Sequence, residues 1–300
     1  MKKILIFAAA VLSMLFWSST FVWFKVALKY YKPMTIVFLR LVIASVFLTA
    51  LIHIFGKYEK IKKEDYKHFF LLAFFEPFCY FLGEAFGMQF VSSTAGSIIV
   101  STIPLVTPFF AWVFLKEKIT AYTFAGLVIS FIGVILIVAK TAGEESSLLG
   151  ILLMFFAVLS GTMYGIQLRK VSCKYGSFTI VRAQSVIGML LFLPLFAIFE
   201  RKEFLQTIPD AEIIFILIKL SVFASCFAFI LFTYVIRDMG ISRANIYTNL
   251  IPVFTAVIAK FELNEQINFN KIAGIIIVVS GLFVAQIPYF KKRKFRLQKL

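Results

Sequence analysis

The sequence predicts an all-α integral membrane protein of about ten transmembrane helices, arranged as two inverted five-helix repeats. Three observations carry that expectation. Of 300 residues, 61% are hydrophobic and 15% charged, a balance that leaves a soluble domain with nowhere to bury its apolar surface. Predominantly apolar runs follow one another along the chain, each near the ~20 residues that cross a hydrocarbon core of ~30 Å. Residues 103–133 also align without gaps on residues 251–281, at a constant offset of 148.

Taken in order, the expected spans are 4–24, 34–54, 68–88, 94–115, 120–139, 149–168, 178–199, 212–236, 242–261 and 271–290. Residues 1–140 form the first repeat, 149–290 the second and 291–300 a basic tail. The connections are mostly under about 15 residues, too short for a folded domain of ordinary size. Function is therefore expected within the membrane. The first span follows Lys2 and Lys3 as a signal peptide does, but its apolar run continues to Phe24 with no A-x-A cleavage site. That is too long for a signal core.

The net charge of +16 does not point to nucleic acid, because the basic residues fall in short loops and a tail rather than along one face. Membrane orientation explains them better. With the N-terminus inside, cytoplasmic segments hold 20 Lys/Arg against eight outside, which places both termini in the cytoplasm and the chain in the cell membrane. The cluster Lys291, Lys292, Arg293, Lys294 and Arg296 is expected to anchor the cytoplasmic end. Cys79, Cys173 and Cys226 show no metal or redox spacing. Two or three of them are expected to pack as small hydrophobes, and no cofactor is indicated.

Within the repeat, Pro104 matches Pro252, Thr107 matches Thr255, Glu117 matches Glu265, Gly126 matches Gly274 and Gly133 matches Gly281. The fronts agree more loosely, as Thr35-Ile36-Val37 with Thr179-Ile180-Val181. Five crossings per half start the second half on the opposite face, so a tandem duplication becomes an inverted repeat. Each proline then lies about ten residues into its helix, which at ~1.5 Å per residue is near the midplane. A proline there either opens the backbone toward a cavity or merely kinks a packed helix.

The stretch Ser93-Thr94-Ala95-Gly96-Ser97 leading to Pro104, then Leu115-Lys116-Glu117-Lys118, resembles the drug/metabolite transporter superfamily, specifically the EamA-type permeases. Phe16-Trp17-Ser18-Ser19 and the second copy ending Leu263-Asn264-Glu265 fit the same family. The resemblance covers nearly the whole chain. It implies ten helices around a central cavity that opens alternately to each side, and a secondary transporter, on balance an exporter, of small metabolites such as amino acids. The second copy departs from the family, reading Glu262-Leu263-Asn264-Glu265 where a small apolar and glycine run is usual. A less regular helix end is expected there.

Glu76, Tyr80 and Glu84 stand at i, i+4 and i+8 of the third span, one helical face. Ionisable residues inside a span usually face a cavity or a partner. Two carboxylates and a phenol could hold a cation, a substrate amine or a transferable proton. Alternatively Glu84 reaches water at the interface and Glu76 is neutral and hydrogen-bonded. The offset of 148 sets Ala224 and Phe232 opposite the two acids, so the acids break the pseudo-symmetry and are functional candidates. Ser97, Ser101 and Pro104 share a face of the fourth span, and the repeat turns them into Asn245, Asn249 and Pro252 on the ninth. Both faces are expected to line the pathway or to serve as interhelical glue. Trp17, Ser18, Tyr164 and Gln167 are further cavity candidates from the first and sixth spans.

Glu117 and Glu265 each stand three residues before Thr120 or Asn268, expected caps, and are expected to favour the positive end of the next helix. The paired glycines should let the fifth and tenth helices pack closely. Arg40 and Arg182 are expected to snorkel to the interface, with recognition of a substrate carboxylate or neutralisation of Glu76 as the alternative. The chain contains no H-E-x-x-H, G-x-S-x-G or Walker-type phosphate loop, which disfavours a membrane enzyme and an ATP-driven pump. A channel is left open, as is a homodimer. The expected partners are a small-molecule substrate, the lipid bilayer and protons coupled to transport, without nucleic acid.

Overall fold

The computed structural model describes residues 2–56, 59–115, 121–122, 124–126, 128–129, 132–133, 136, 147–239, 241–266 and 269–297. Every regular element among them is helical. They are α1 Lys2–Ala27, α2 Pro33–Ile54, α3 Tyr66–Ala73, α4 Tyr80–Gly87, α5 Ser93–Val100, α6 Ile103–Leu115 and α7 Leu148–Ser172. The chain continues as α8 Ser177–Phe199, α9 Arg201–Gln206, α10 Ala211–Lys219, α11 Ala228–Met239, α12 Ile241–Ala244, α13 Ile251–Glu262 and α14 Phe269–Leu297.

Among the described residues, six helices are long and apolar enough to cross a membrane: Ile4–Ala27, Pro33–Ile54, Lys63–Gly87, Leu148–Ser172, Ser177–Phe199 and Ala211–Asp238. They match the expected first, second, third, sixth, seventh and eighth spans. Their outer faces expose large apolar chains such as Ile4, Val46, Ile198 and Phe215, while serines, threonines and charged groups lie inside. That inversion of the soluble pattern is what a lipid solvent selects. Half of the expected fifth span falls outside the described residues. The tenth differs from expectation at its end, because α14 continues to Leu297 instead of stopping at 290.

Among the described residues, four spans are interrupted, in two matched pairs. Between α3 and α4 the chain forms a wide π-helical stretch at Phe74–Cys79, and between α10 and α11 another at Leu220–Phe227. The first contains Pro77, which cannot donate a backbone hydrogen bond, and Glu76 has extended backbone angles of φ −149° and ψ 118°. The fourth span breaks at Ser101 and Thr102, between α5 and α6. The ninth tightens to a 3₁₀ turn at Asn245–Leu250 before α13. Pro104 and Pro252 sit in the first turn after these breaks, where a missing N–H costs nothing.

Hydrogen bonds and ring contacts set the direction of packing. Glu200, just past α8, binds the start of α2, whereas Glu59, past the end of α2, accepts the Gly176 amide ahead of α8. Helices α2 and α8 are therefore antiparallel, with Phe38 stacked on Phe196. The third span packs antiparallel on α7, α1 on the eighth span, and α5 on α13. Exchanging the two halves maps these partnerships onto one another. Gly83 explains one close approach, since an added Cβ would lie 2.6 Å from the Leu153 carbonyl oxygen and 2.8 Å from the Ala157 nitrogen. Gly133 explains another, against Val278 of α14.

Candidate functional site

The interrupted spans surround a cavity of about 80 Å³. The first half contributes Trp17, Thr20 and Phe21 of α1, Arg40 of α2, and Val100, Ile103 and Thr107 of the fourth span. Glu76, Tyr80, Phe81 and Glu84 enter from the third span. The second half contributes Tyr164 and two glycines of α7, Phe229, Phe232 and Ile236 of α11, and Asn245 and Thr248 of the ninth span.

The walls are aromatic. Trp17 meets Phe229 and Phe232 edge-on at 5.1 and 4.8 Å, and Tyr164 meets Phe229 at 6.1 Å. Into this apolar frame project a few polar groups, the arrangement expected of a small-molecule site. Tyr80 donates its hydroxyl to Glu84 at 3.0 Å, and Tyr164 lies 3.3 Å from the side-chain oxygen of Gln184. Glu76 and Glu84 are 8% and 5% exposed. The expected single α-helical face is not kept, because the π-helical stretch and the extended Glu76 backbone intervene. All three residues nevertheless reach the same cavity.

Arg40 corrects the snorkelling expectation. It is 1% exposed, its Nε donates to Ser225 of the opposite half, and its guanidinium carbon lies 4.4 Å from the centre of the Phe81 ring. Those partners come from distant segments, so spacing along α2 could not reveal them. Arg182 instead donates to Thr49 of α2 at 3.1 Å.

Of the other candidates, Trp17, Tyr164 and Asn245 line the cavity, whereas Ser97, Ser101, Pro104, Asn249, Pro252, Ser18 and Gln167 lie off its wall. Ser97 and Ser101 turn their hydroxyls to the Thr94 and Ile98 carbonyls of their own helix, a satisfaction that needs no neighbour. Ser18 ties α1 to α13, its hydroxyl 3.1 Å from the Ile251 carbonyl, while Thr255 donates back to the Ser18 carbonyl at 3.2 Å. Gln167 and Asn249 are buried, with the Gln167 oxygen and both Asn249 amide atoms unpartnered. Thr20, Phe21, Thr107 and Thr248 were missed; threonines are too common in helices to mark a site, and Phe21 is one of 38 phenylalanines in the chain.

Glu265 has partners that its spacing did not reveal. Its carboxylate accepts the Ser93 amide and the Thr94 hydroxyl, each at 2.8 Å, and so caps α5 of the other half, while Asn268, the expected cap of its own next helix, lies outside the described residues. The helix before it ends at Glu262, with Asn264 in the left-handed region at φ 54°, the irregular end expected there and one that Asn tolerates. Glu117 lies outside the described residues. Cys226 is buried and Cys79 half-buried, as expected of packing residues, but Cys173 is exposed. Among the described residues no cluster of His, Cys, Asp and Glu could hold a metal ion.

Residues 4–139 and 148–286 each match the EamA-like transporter family. The chain belongs to that family. Its match in two stretches corresponds to the two halves that meet at the cavity. Similar proteins include two uncharacterized transporters of Archaeoglobus fulgidus. Each is 26% identical, over 91% of this chain and 94% of the relative in one case and over 95% and 98% in the other. The uncharacterized transporter YetK of Bacillus subtilis is 27% identical over 83% of this chain and 77% of its own length. A solved crystal structure with 14% identity superposes with a TM-score of 0.69, covering 93% of this chain and 96% of that one. This EamA-family chain is thus a multi-pass membrane protein of transporter type.

Proposed function

We propose that this EamA-family protein is a secondary transporter that moves small metabolites, such as amino acids or related compounds, out of the cell by alternating access. Ten helices in two inverted repeats surround the pathway, with both termini in the cytoplasm and the chain in the cell membrane. The observation that carries the reading is the aromatic-walled cavity built from both halves, at the level where four spans are interrupted. The antiparallel course of α2 against α8 supports inversion, because these are equivalent helices of the two repeats. The Lys/Arg asymmetry of the loops supports the orientation. Rocking one half against the other would expose the same residues to each side in turn.

Comparing metabolite release from overexpressing and deletion cells identifies the cargo and its direction. In proteoliposomes a carrier shows saturable flux stimulated by unlabelled cargo on the far side. Ion-rate conductance in a planar bilayer, without that stimulation, would instead make the protein a channel.

A further inference from the structure

We propose that Arg40 is the cation that recognises the cargo, and that the cargo carries a carboxylate beside an apolar body. This rests on the transport reading above and names the chemistry of the same site. Arg40 is among the largest fully buried side chains of the protein, yet it faces the cavity. Its Nε is taken by Ser225 and its plane lies against Phe81, but its Nη1 has no hydrogen-bond partner.

A buried cationic N–H without an acceptor is a strong demand for one. The cavity carboxylates do not meet it. Among the described residues no ion pair involves Arg40. Scaffolding does not require a cation here either. The match of Thr35-Ile36-Val37 with Thr179-Ile180-Val181 sets Arg40 opposite Gln184, a neutral residue equally buried in its half and satisfied by Tyr164. The arginine therefore departs from the repeat, as Glu76 and Glu84 do.

The geometry fits a planar oxyanion. A guanidinium presents its N–H groups in a fixed fork that matches a carboxylate. Here one contact to Ser225 and one to Phe81 hold that fork, so little ordering remains when an acceptor arrives. The rest of the cavity is lined by Trp17, Phe21, Phe229 and Phe232, which offer an apolar body its surroundings. A polyanion is disfavoured by Glu76 and Glu84 on the same wall.

Matched pairs that differ only at the carboxylate test this: leucine with leucinamide, phenylalanine with phenylalaninamide, and 4-methylpentanoate with 4-methylpentanamide. Each is titrated by thermal shift against the full-length protein in nanodiscs. In a pair that stabilises the protein, the acid is expected to act at a concentration at least about tenfold below its amide, the cost of an unpaired buried charge partner. Arg40→Gln should erase that preference and Arg40→Lys keep part of it. If Arg40→Gln does not fold, Ser225→Ala retains the guanidinium, frees its Nε, and should weaken the preference several-fold.

Equal action of acids and amides on the wild type, or no stabilisation by any acid, overturns the assignment of Arg40. The carrier reading is judged separately, by exchange of a labelled metabolite extract across proteoliposomes. Exchange combined with equal acid and amide binding removes Arg40 and leaves the carrier standing. Absence of exchange removes the carrier.

Discussion

The carboxylate of Glu200 holds Thr35 twice, accepting its backbone N–H at 2.6 Å and its hydroxyl at 2.7 Å. The Met34 amide approaches the same group at 3.2 Å. A helix start leaves amides without intrahelical partners, and here a residue 165 positions away satisfies them. Glu200 is buried, whereas the ion pair of Lys32 with Glu203 nearby is about half-exposed on both sides. Loss of the buried cap in Glu200→Ala should cost about 1–2 kcal/mol, and Glu203→Ala at most about 0.5 kcal/mol. Thermal unfolding in detergent distinguishes them, and equal effects would contradict this ranking.

Gly83→Ala should be more damaging than either. The added methyl meets backbone atoms of α7, which cannot rotate away as a side chain does. Overpacking of this kind costs about 1–3 kcal/mol, and separation of the third span from α7 also deforms the cavity. Gly176→Ala, whose added Cβ meets its nearest atom at 3.5 Å, serves as the tolerated control. A Gly83→Ala protein as stable as Gly176→Ala would contradict the close packing.

The loop between α7 and α8 carries a contact with a defined pH response. Lys174 lies 2.7 Å from Asp65, and that hydrogen bond raises the lysine above its ordinary value. Its stabilising contribution is full below the ordinary lysine range and is lost only as pH rises through the raised value. Lys174→Met should therefore lower the melting temperature by a similar amount at pH 6 and at pH 9. Convergence of mutant and wild type by pH 9 would show that the ion pair has already been lost.

Much of the frame was legible in the sequence, because span length and the fixed spacing from Pro104 to Pro252 depend on local composition. The breaks ahead of those prolines follow from the missing N–H. The distribution of polar groups around the cavity was less legible. Helical periodicity places Ser97 and Ser101 on one face but does not say which neighbour covers it. The environment of Arg40 depends on Phe81 and Ser225, and the capping of α5 on Glu265, all brought together only by tertiary packing. Glu76 was found by its depth, but its extended backbone was not, since Pro77 and the π-helical stretch act together.

Glu76 faces the cavity from the interrupted part of the third span. Under the alternating-access proposal, a carboxyl so placed would exchange a proton as the cavity opens to each side in turn. Glu76→Gln keeps size and hydrogen bonding while removing the titratable proton. Membrane insertion should be normal, with transport reduced or made insensitive to pH. Wild-type flux with an unchanged pH profile would remove Glu76 from the mechanism and turn attention to Glu84.

Water and cargo should reach one cavity shared by both halves, and thiol labelling tests that access without knowledge of the cargo. Thr107 and Thr248 line that cavity from opposite halves, while Cys173 is exposed in a loop. Thr107→Cys and Thr248→Cys are each made with Cys79 and Cys226 replaced and Cys173 kept as an internal control. In folded protein, a small charged methanethiosulfonate reagent should modify Cys173 and each introduced cysteine. Modification of Cys173 with both cavity cysteines inert would contradict a water-reachable pathway between the halves.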